Sequence, residues 1–286
     1  MREFCLGACD RTFAVRCHDD GTAALMTRVF AGLLVPQSAC SAPVRTYDVA
    51  PCGAEGRFRI SDGTNGVTAT NAESLLFCVD KDMTLTLQRV RRDLFFLHAA
   101  AVAWNGRVAV VPAFAGTGKS TLTFALLENG FEYLSDELAP IDLNRLTVHP
   151  YPHALCLKSR PPKPFTLPGG AIELDGTFQL PVHEPTPIHR SPMPVAAIVF
   201  IGRSPDHAPG LHRVTTATAT TRLMAHALNA LAHSDYGLDA AISLGRAVPS
   251  FELDVTDLSA ASAAIKAVLQ DGHDFEPFTA EALPQT

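Results

Sequence analysis

Positive charge is scarce in this chain: 23 Lys and Arg stand against 29 Asp and Glu in 286 residues, for a formal net charge of −6. A protein that held nucleic acid by bulk electrostatics would carry a surplus of cations to track phosphates, so no nucleic-acid partner is expected. Long hydrophobic runs are also missing. The two longest apolar stretches, Leu94 to Trp104 and Val108 to Ala115, are separated by Asn105-Gly106-Arg107, and the first contains His98. Neither approaches the ~20 apolar residues of a bilayer span, so no membrane partner is expected. The opening Met1-Arg2-Glu3-Phe4-Cys5, with Asp10 and Arg11 close behind, lacks the apolar core of a secretory leader. The expected location is the cytoplasm.

Paired cysteine spacing is absent too. The seven cysteines (Cys5, Cys9, Cys17, Cys40, Cys52, Cys78 and Cys156) are odd in number and include no C-x-x-C, which disfavours a disulfide framework. Cys5, Cys9, Cys17 and His18 match no standard zinc spacing, and free cysteines serve readily as small buried hydrophobes. No repeat period is visible. What the chain does have is 47% hydrophobic residues, enough to bury a core in one large or two modest domains.

From Met1 to about Thr70, short apolar runs are broken by Gly, Pro, Asp and Asn, which predicts a β-rich N-terminal lobe. Leu75, Leu76, Val79, Met83, Leu87 and Val90 recur at helical spacing, so one or two helices are expected between Asn71 and Asp93. The predicted boundaries are 1–93 for this lobe and 94–286 for a second domain. Phe95 to Trp104 reads as one strand, Asn105-Gly106 as a hairpin turn and Arg107 to Pro112 as a second strand. A Gly-containing loop follows, then a helix over Ser120 to Asn129 stopped by Gly130, and a strand through Phe131 to Asp136. Short strands are expected near Leu146 to Val148 and Ala154 to Leu157. Further on come a strand at Val195 to Gly202, a helix at Thr220 to His233, an edge or returning strand at Phe251 to Val255, and a helix at Leu258 to Gln270. The Pro-rich segment from Arg160 to Pro194, with Lys163, His183, His189 and Arg190, is expected to be loop and to close over a substrate. A passive connector is the competing reading of that segment.

Ala113-Phe114-Ala115-Gly116-Thr117-Gly118-Lys119-Ser120 fits the Walker A pattern except for Ala at its first position, and Thr121 follows in the helix. Gly116 and Gly118 let backbone N–H groups curl around a polyphosphate. Lys119 reaches the β- and γ-phosphates, and the Ser120 hydroxyl holds Mg²⁺. Asp136 and Glu137 stand at the end of the next strand, where both can point at the phosphates, although acids at strand ends are also commonly just solvated. His98 by itself reads as a buried, hydrogen-bonded histidine.

Leu97-His98-Ala99-Ala100-Ala101, the loop through Ser120 and Ser135-Asp136-Glu137 together resemble the catalytic domain of HPr kinase/phosphorylase and its smaller relatives, which include the kinases found with lasso-peptide precursors. The resemblance covers roughly residues 95 to 160. It implies an α/β fold with α+β elements, a P-loop kinase core like that of HPr kinase and phosphoenolpyruvate carboxykinase, and an active site of His98, Lys119, Ser120 and the acid pair. It also implies ATP and Mg²⁺, and it allows a homo-oligomer. Three departures stand out: Ala113 opens the loop, Glu137 replaces a second Asp, and the family's Glu-x-Arg-Gly signature is missing. Near that signature's place lies Leu155-Cys156-Leu157-Lys158-Ser159-Arg160, so phosphorylase activity is not expected. Lys158 or Arg160 supplies a cation to the phosphoryl group, or each is simply a surface cation.

The resulting expectation is a kinase that phosphorylates a hydroxyl, a serine of a peptide or small protein. Asp136 would accept the hydroxyl proton, Ser120 with Glu137 would place Mg²⁺, and His98 would orient that carboxylate or the γ-phosphate. A small-molecule kinase, or a nucleotide-binding regulator that hydrolyses ATP slowly, would use the same loop.

Overall fold

The computed structural model describes residues 1–53, 56–182, 189–202, 210–271 and 278–279. These residues form a mixed α/β structure with six α-helices and three sheets. Strands Arg2–Ala8 (β1) and Arg11–Cys17 (β2) make a hairpin whose turn residues Cys9 and Asp10 both adopt positive φ. Helix Asp20–Val29 (α1) starts on Asp19, whose carboxylate accepts the Thr22 N–H at 2.8 Å. Strands Leu34–Val35 (β3), Arg45–Pro51 (β4), Phe58–Ser61 (β5) and Gly66–Ala69 (β6) complete a sheet in the order β3-β1-β2-β4-β5-β6. Helix Ala72–Val90 (α2) opens with a reciprocal cap: the Ser74 N–H donates to the Asn71 side chain at 2.8 Å, and the Asn71 N–H donates to Ser74 Oγ at 3.0 Å. Its Leu75, Val79, Met83 and Leu87, four residues apart, are fully buried.

The chain continues through Phe95–Leu97 (β7), Ala99–Trp104 (β8), Arg107–Pro112 (β9), helix Lys119–Glu128 (α3), Glu132–Ser135 (β10), Ala139–Asp142 (β11) and Thr147–Val148 (β12). A small sheet follows, made of Leu155–Leu157 (β13), Ile172–Leu174 (β14) and Thr177–Leu180 (β15). Then come Met193–Ile201 (β16), Gly210–Arg213 (β17), helices Thr216–His226 (α4) and Leu238–Ala247 (α5), Ser250–Leu253 (β18), helix Leu258–Asp271 (α6) and Phe278–Thr279 (β19). No helix among the described residues is long and apolar enough to cross a membrane.

Two compact units emerge. The first joins residues 1–91 with 151–184, and the second joins 92–150 with 185–286. The sequence boundary at 93/94 therefore needs correcting for 151–184, which pack with the first unit. Tyr151 is fully buried there and donates its hydroxyl to Asp80 on α2 at 2.8 Å, while the Ala154 N–H bonds the Val29 carbonyl at 2.7 Å. Gly32 marks another close approach. A Cβ at this position would stand 1.9 Å from the Pro152 carbonyl oxygen, a backbone atom that cannot swing away. Gly32→Ala is thus expected to cost about 2 kcal/mol or more in chemical denaturation. A loss below ~0.5 kcal/mol would show that this packing relaxes freely.

Other expectations change as well. The Arg160 to Pro194 segment is not all loop: β14 and β15 form a hairpin around Asp175-Gly176, both at positive φ. Residues 183–188, including His183, lie outside the described residues. Cys5 on β1 is bonded to Cys40, with Cα atoms 6.0 Å apart, because β3 runs beside β1 and brings the following turn back to it. The expected single strand over Phe95 to Trp104 divides at His98. The β18 strand is internal, parallel to β16 and antiparallel to β17, and not an edge.

The second unit is a layered α/β structure built on β10-β8-β9-β16-β12-β11-β7, with β18 added to β16. On β9, Val108 and Val110 face Ala219 and Leu223 of α4 and Ala240, Ala241 and Leu244 of α5. Ala109 and Val111 face Leu122 and Leu126 of α3 and Ala261, Ile265 and Leu269 of α6. Burial on both faces explains why the β9 strand reads as an unbroken apolar run.

Candidate active site

The β8–β9 hairpin turns on Asn105 and Gly106, both at positive φ, and delivers β9 directly into the loop 113–118. Ala113 is buried and does not take a positive φ, so glycine is not required at the loop's first position. Phe114 and the residues through Gly118 are exposed. The Thr117 N–H and hydroxyl both bond the Phe114 carbonyl, at 3.3 and 2.8 Å. Gly116 and Gly118 adopt φ of 86° and 92°, and space beyond both α-carbons is open. Helix α3 starts at Lys119 with no side chain capping its first N–H groups. Those groups, which include the Ser120 and Thr121 amides, are left for an anion.

The acid pair is placed by a bulge. The β10–β8 register shifts between Tyr133 and Ser135, and Ser135 Oγ accepts the N–H groups of Glu137 and Leu138 at 3.3 and 3.1 Å. This turns Asp136 and Glu137 out of the strand beside α3. Asp136 is 2% exposed, and its two oxygens accept from Ser120 Oγ at 3.2 Å and from the Tyr133 hydroxyl at 2.9 Å. Lys119, 6% exposed, donates its ammonium to the Asp136 carbonyl and lies 3.5 Å from Glu137 Oε2. The side chain of Glu137 is 47% exposed, and its other oxygen lies 3.4 Å from His98 Nδ1.

His98 sits where the chain leaves β7, paired with β11, and enters β8, paired with β9. Its imidazole pKa is lowered, first by burial and then by the Lys119 cation, against the opposing pull of Glu137. The neutral ring is therefore favoured. His98, Lys119, Ser120, Asp136 and Glu137 thus converge at the loop within one unit. Lys158 and Arg160 belong to the first unit, where Arg160 lies over the Phe178 ring at 5.1 Å and 3.8 Å from Glu173.

The sequence reading missed His226. The helix predicted to run on to His233 ends at this residue, because the Asn229 side chain accepts the Phe96 N–H at 2.9 Å and donates to the Leu94 carbonyl at 2.8 Å, drawing the chain alongside β7. The His98 N–H donates to the His226 carbonyl at 2.9 Å, and the His226 ring packs on Phe114 with centroids 4.4 Å apart. Burial, then the neighbouring His98 and Lys119, push the His226 pKa down to about 4. Between pH 6.5 and 4 the unfolded chain therefore protonates this histidine while the folded one does not, so stability falls as the pH drops through that window. The slope approaches about 1.4 kcal/mol per pH unit at most. His226→Phe is expected to flatten the decline of melting temperature over that range, and parallel wild-type and variant curves would contradict the assignment.

Among the described residues no group of three or more His, Cys, Asp and Glu is arranged to hold a metal ion. Nucleotide-bound Mg²⁺ requires less: one or two protein oxygens, with phosphates and waters completing its shell. The Ser120 hydroxyl and the Asp136 carboxylate, already in contact, fit that need.

No family model matches the chain, and no curated protein matches its sequence. Among solved structures, the chain is distantly similar to the HPr(Ser) kinase/phosphatase from Coxiella burnetii, at 12% identity and a TM-score of 0.35, with 62% of this chain and 94% of that chain covered.

Proposed function

We propose that this chain is an ATP- and Mg²⁺-dependent phosphotransferase that moves the γ-phosphoryl group to a hydroxyl, a serine of a peptide or small protein such as a lasso-peptide precursor. The observation that carries this reading is the meeting of Lys119, Ser120, Asp136, Glu137 and His98 behind a loop with two left-handed glycines. The loop amides and Lys119 hold the β- and γ-phosphates, exchanging the lysine's present carbonyl contact for phosphate oxygens. Ser120 and Asp136 would hold Mg²⁺, which would supply charge neutralisation at the phosphates.

Glu137 accepts the hydroxyl proton. It is the more exposed acid, and neutral His98 with its proton on Nδ1 holds one of its oxygens in place. This exchanges the roles expected from sequence, because the Ser120 hydroxyl contacts Asp136 and Asp136 is the buried acid of the pair. The test is incubation with γ-labelled ATP, Mg²⁺ and a panel of serine-containing peptides. Label in phosphoserine is the expected result. Label released only as inorganic phosphate would instead support the slow regulatory ATPase and overturn the transferase reading.

A further inference from the structure

We infer that His226 is a second imidazole of the phosphate site, donating a ring N–H to the γ-phosphate of the bound nucleotide. The inference rests on the kinase reading and extends it to a residue that neither the loop pattern nor the acid pair includes. His226 is the last residue of α4, and the chain beyond it turns at once into a bridge between Ala227 and Leu97. Its carbonyl takes the His98 N–H, so both histidines leave the backbone beside the same break between β7 and β8.

The imidazole then lies against Phe114, the second residue of the loop, at a tilt of 42°. His226 is only 7% exposed, and its ring lies against the loop through the Phe114 contact. The His98 N–H bond to the His226 carbonyl and the contact with Phe114 bring the ring to the loop beside His98. A neutral imidazole keeps one N–H donor. The packing on Phe114 holds the ring plane, so little freedom remains to be lost when phosphate binds.

The alternative is that His226 only supports Phe114, and two variants separate the roles. His226→Phe keeps an aromatic ring on Phe114 and removes the N–H, while His226→Gln removes the ring and keeps an N–H donor. Calorimetry would give dissociation constants of both variants and the wild type for Mg·AMP-PNP, which has a γ-phosphate, and for Mg·ADP, which lacks one. His226→Phe is expected to weaken Mg·AMP-PNP about tenfold and leave Mg·ADP within about twofold, with His226→Gln within about threefold of wild type for both. Equal losses for the two nucleotides, unchanged Mg·AMP-PNP binding by His226→Phe, or a Gln variant as weak as the Phe variant would each overturn the inference. Those results leave the kinase reading standing. A wild-type protein that binds neither nucleotide overturns both.

Discussion

Lys119→Ala is expected to lower phosphoryl transfer by about 1000-fold or more while the protein still unfolds cooperatively within about 5 °C of the wild type. The side chain is buried, but its ammonium faces a backbone carbonyl and the Glu137 carboxylate and not an apolar core. Its removal leaves one carbonyl less well paired, a cost of about 1–2 kcal/mol. The catalytic loss is larger because a fixed cation in a partly dry site stabilises charge that develops on the transferring group. Transfer kinetics and a thermal melt on the same preparation decide it. Activity within a few-fold of wild type would remove Lys119 from the phosphate site.

Asp136→Asn and Glu137→Gln are expected to fail in different ways. Asn keeps the shape of the side chain that meets Ser120 and Tyr133 but loses the charge that would hold a divalent cation. Its rate should fall about 100- to 1000-fold, and the Mg²⁺ concentration for half-maximal rate should rise. Glu137→Gln should lower kcat by about 100- to 10,000-fold with that midpoint unchanged, because the proton acceptor is lost and Glu137 is assigned no contact with the metal. Titrating Mg²⁺ against rate for both variants separates the two roles. A shifted midpoint for Glu137→Gln with an unshifted one for Asp136→Asn would restore the opposite assignment, with Asp136 as the base.

The course from β9 to Asp136 is legible in sequence because each step has a local signal: an apolar run, left-handed glycines, an apolar helix face and Gly130 as a stop. The convergence of Ser120, Asp136 and Lys119 follows from that order. His226 carries no local signal. It falls within a helical apolar pattern, and its place is set by a helix end that Asn229 creates through bonds to Phe96 and Leu94, more than 130 residues earlier in the chain. The same limit applies to residues 151–184, whose membership of the first unit depends on Tyr151 reaching Asp80 and Gly32 admitting Pro152.

Two other features could have been read locally. Asp175-Gly176 between short apolar runs is a hairpin signal that the surrounding prolines obscured. The α5 helix shows Ala240, Ala241 and Leu244 at helical spacing, with Val248 just past its end, but its small residues give a weak apolar stripe. Gly245 there admits close packing on Ala219 and Thr220 of α4. The Cys5–Cys40 bond was not readable at all, since a separation of 35 residues says nothing about which strands lie side by side.

The central claim is that one Mg·nucleotide site is built by the loop 113–120 and the acid pair. A crystal structure of the full chain with Mg·AMP-PNP tests it most directly. The account predicts the triphosphate wrapped by the amides of Gly116 to Ser120, the Lys119 ammonium moved from the Asp136 carbonyl to the β- and γ-phosphates, and Mg²⁺ between Ser120 and Asp136. A nucleotide bound elsewhere, or a loop left empty at saturating Mg·AMP-PNP with Lys119 still on the Asp136 carbonyl, would contradict it.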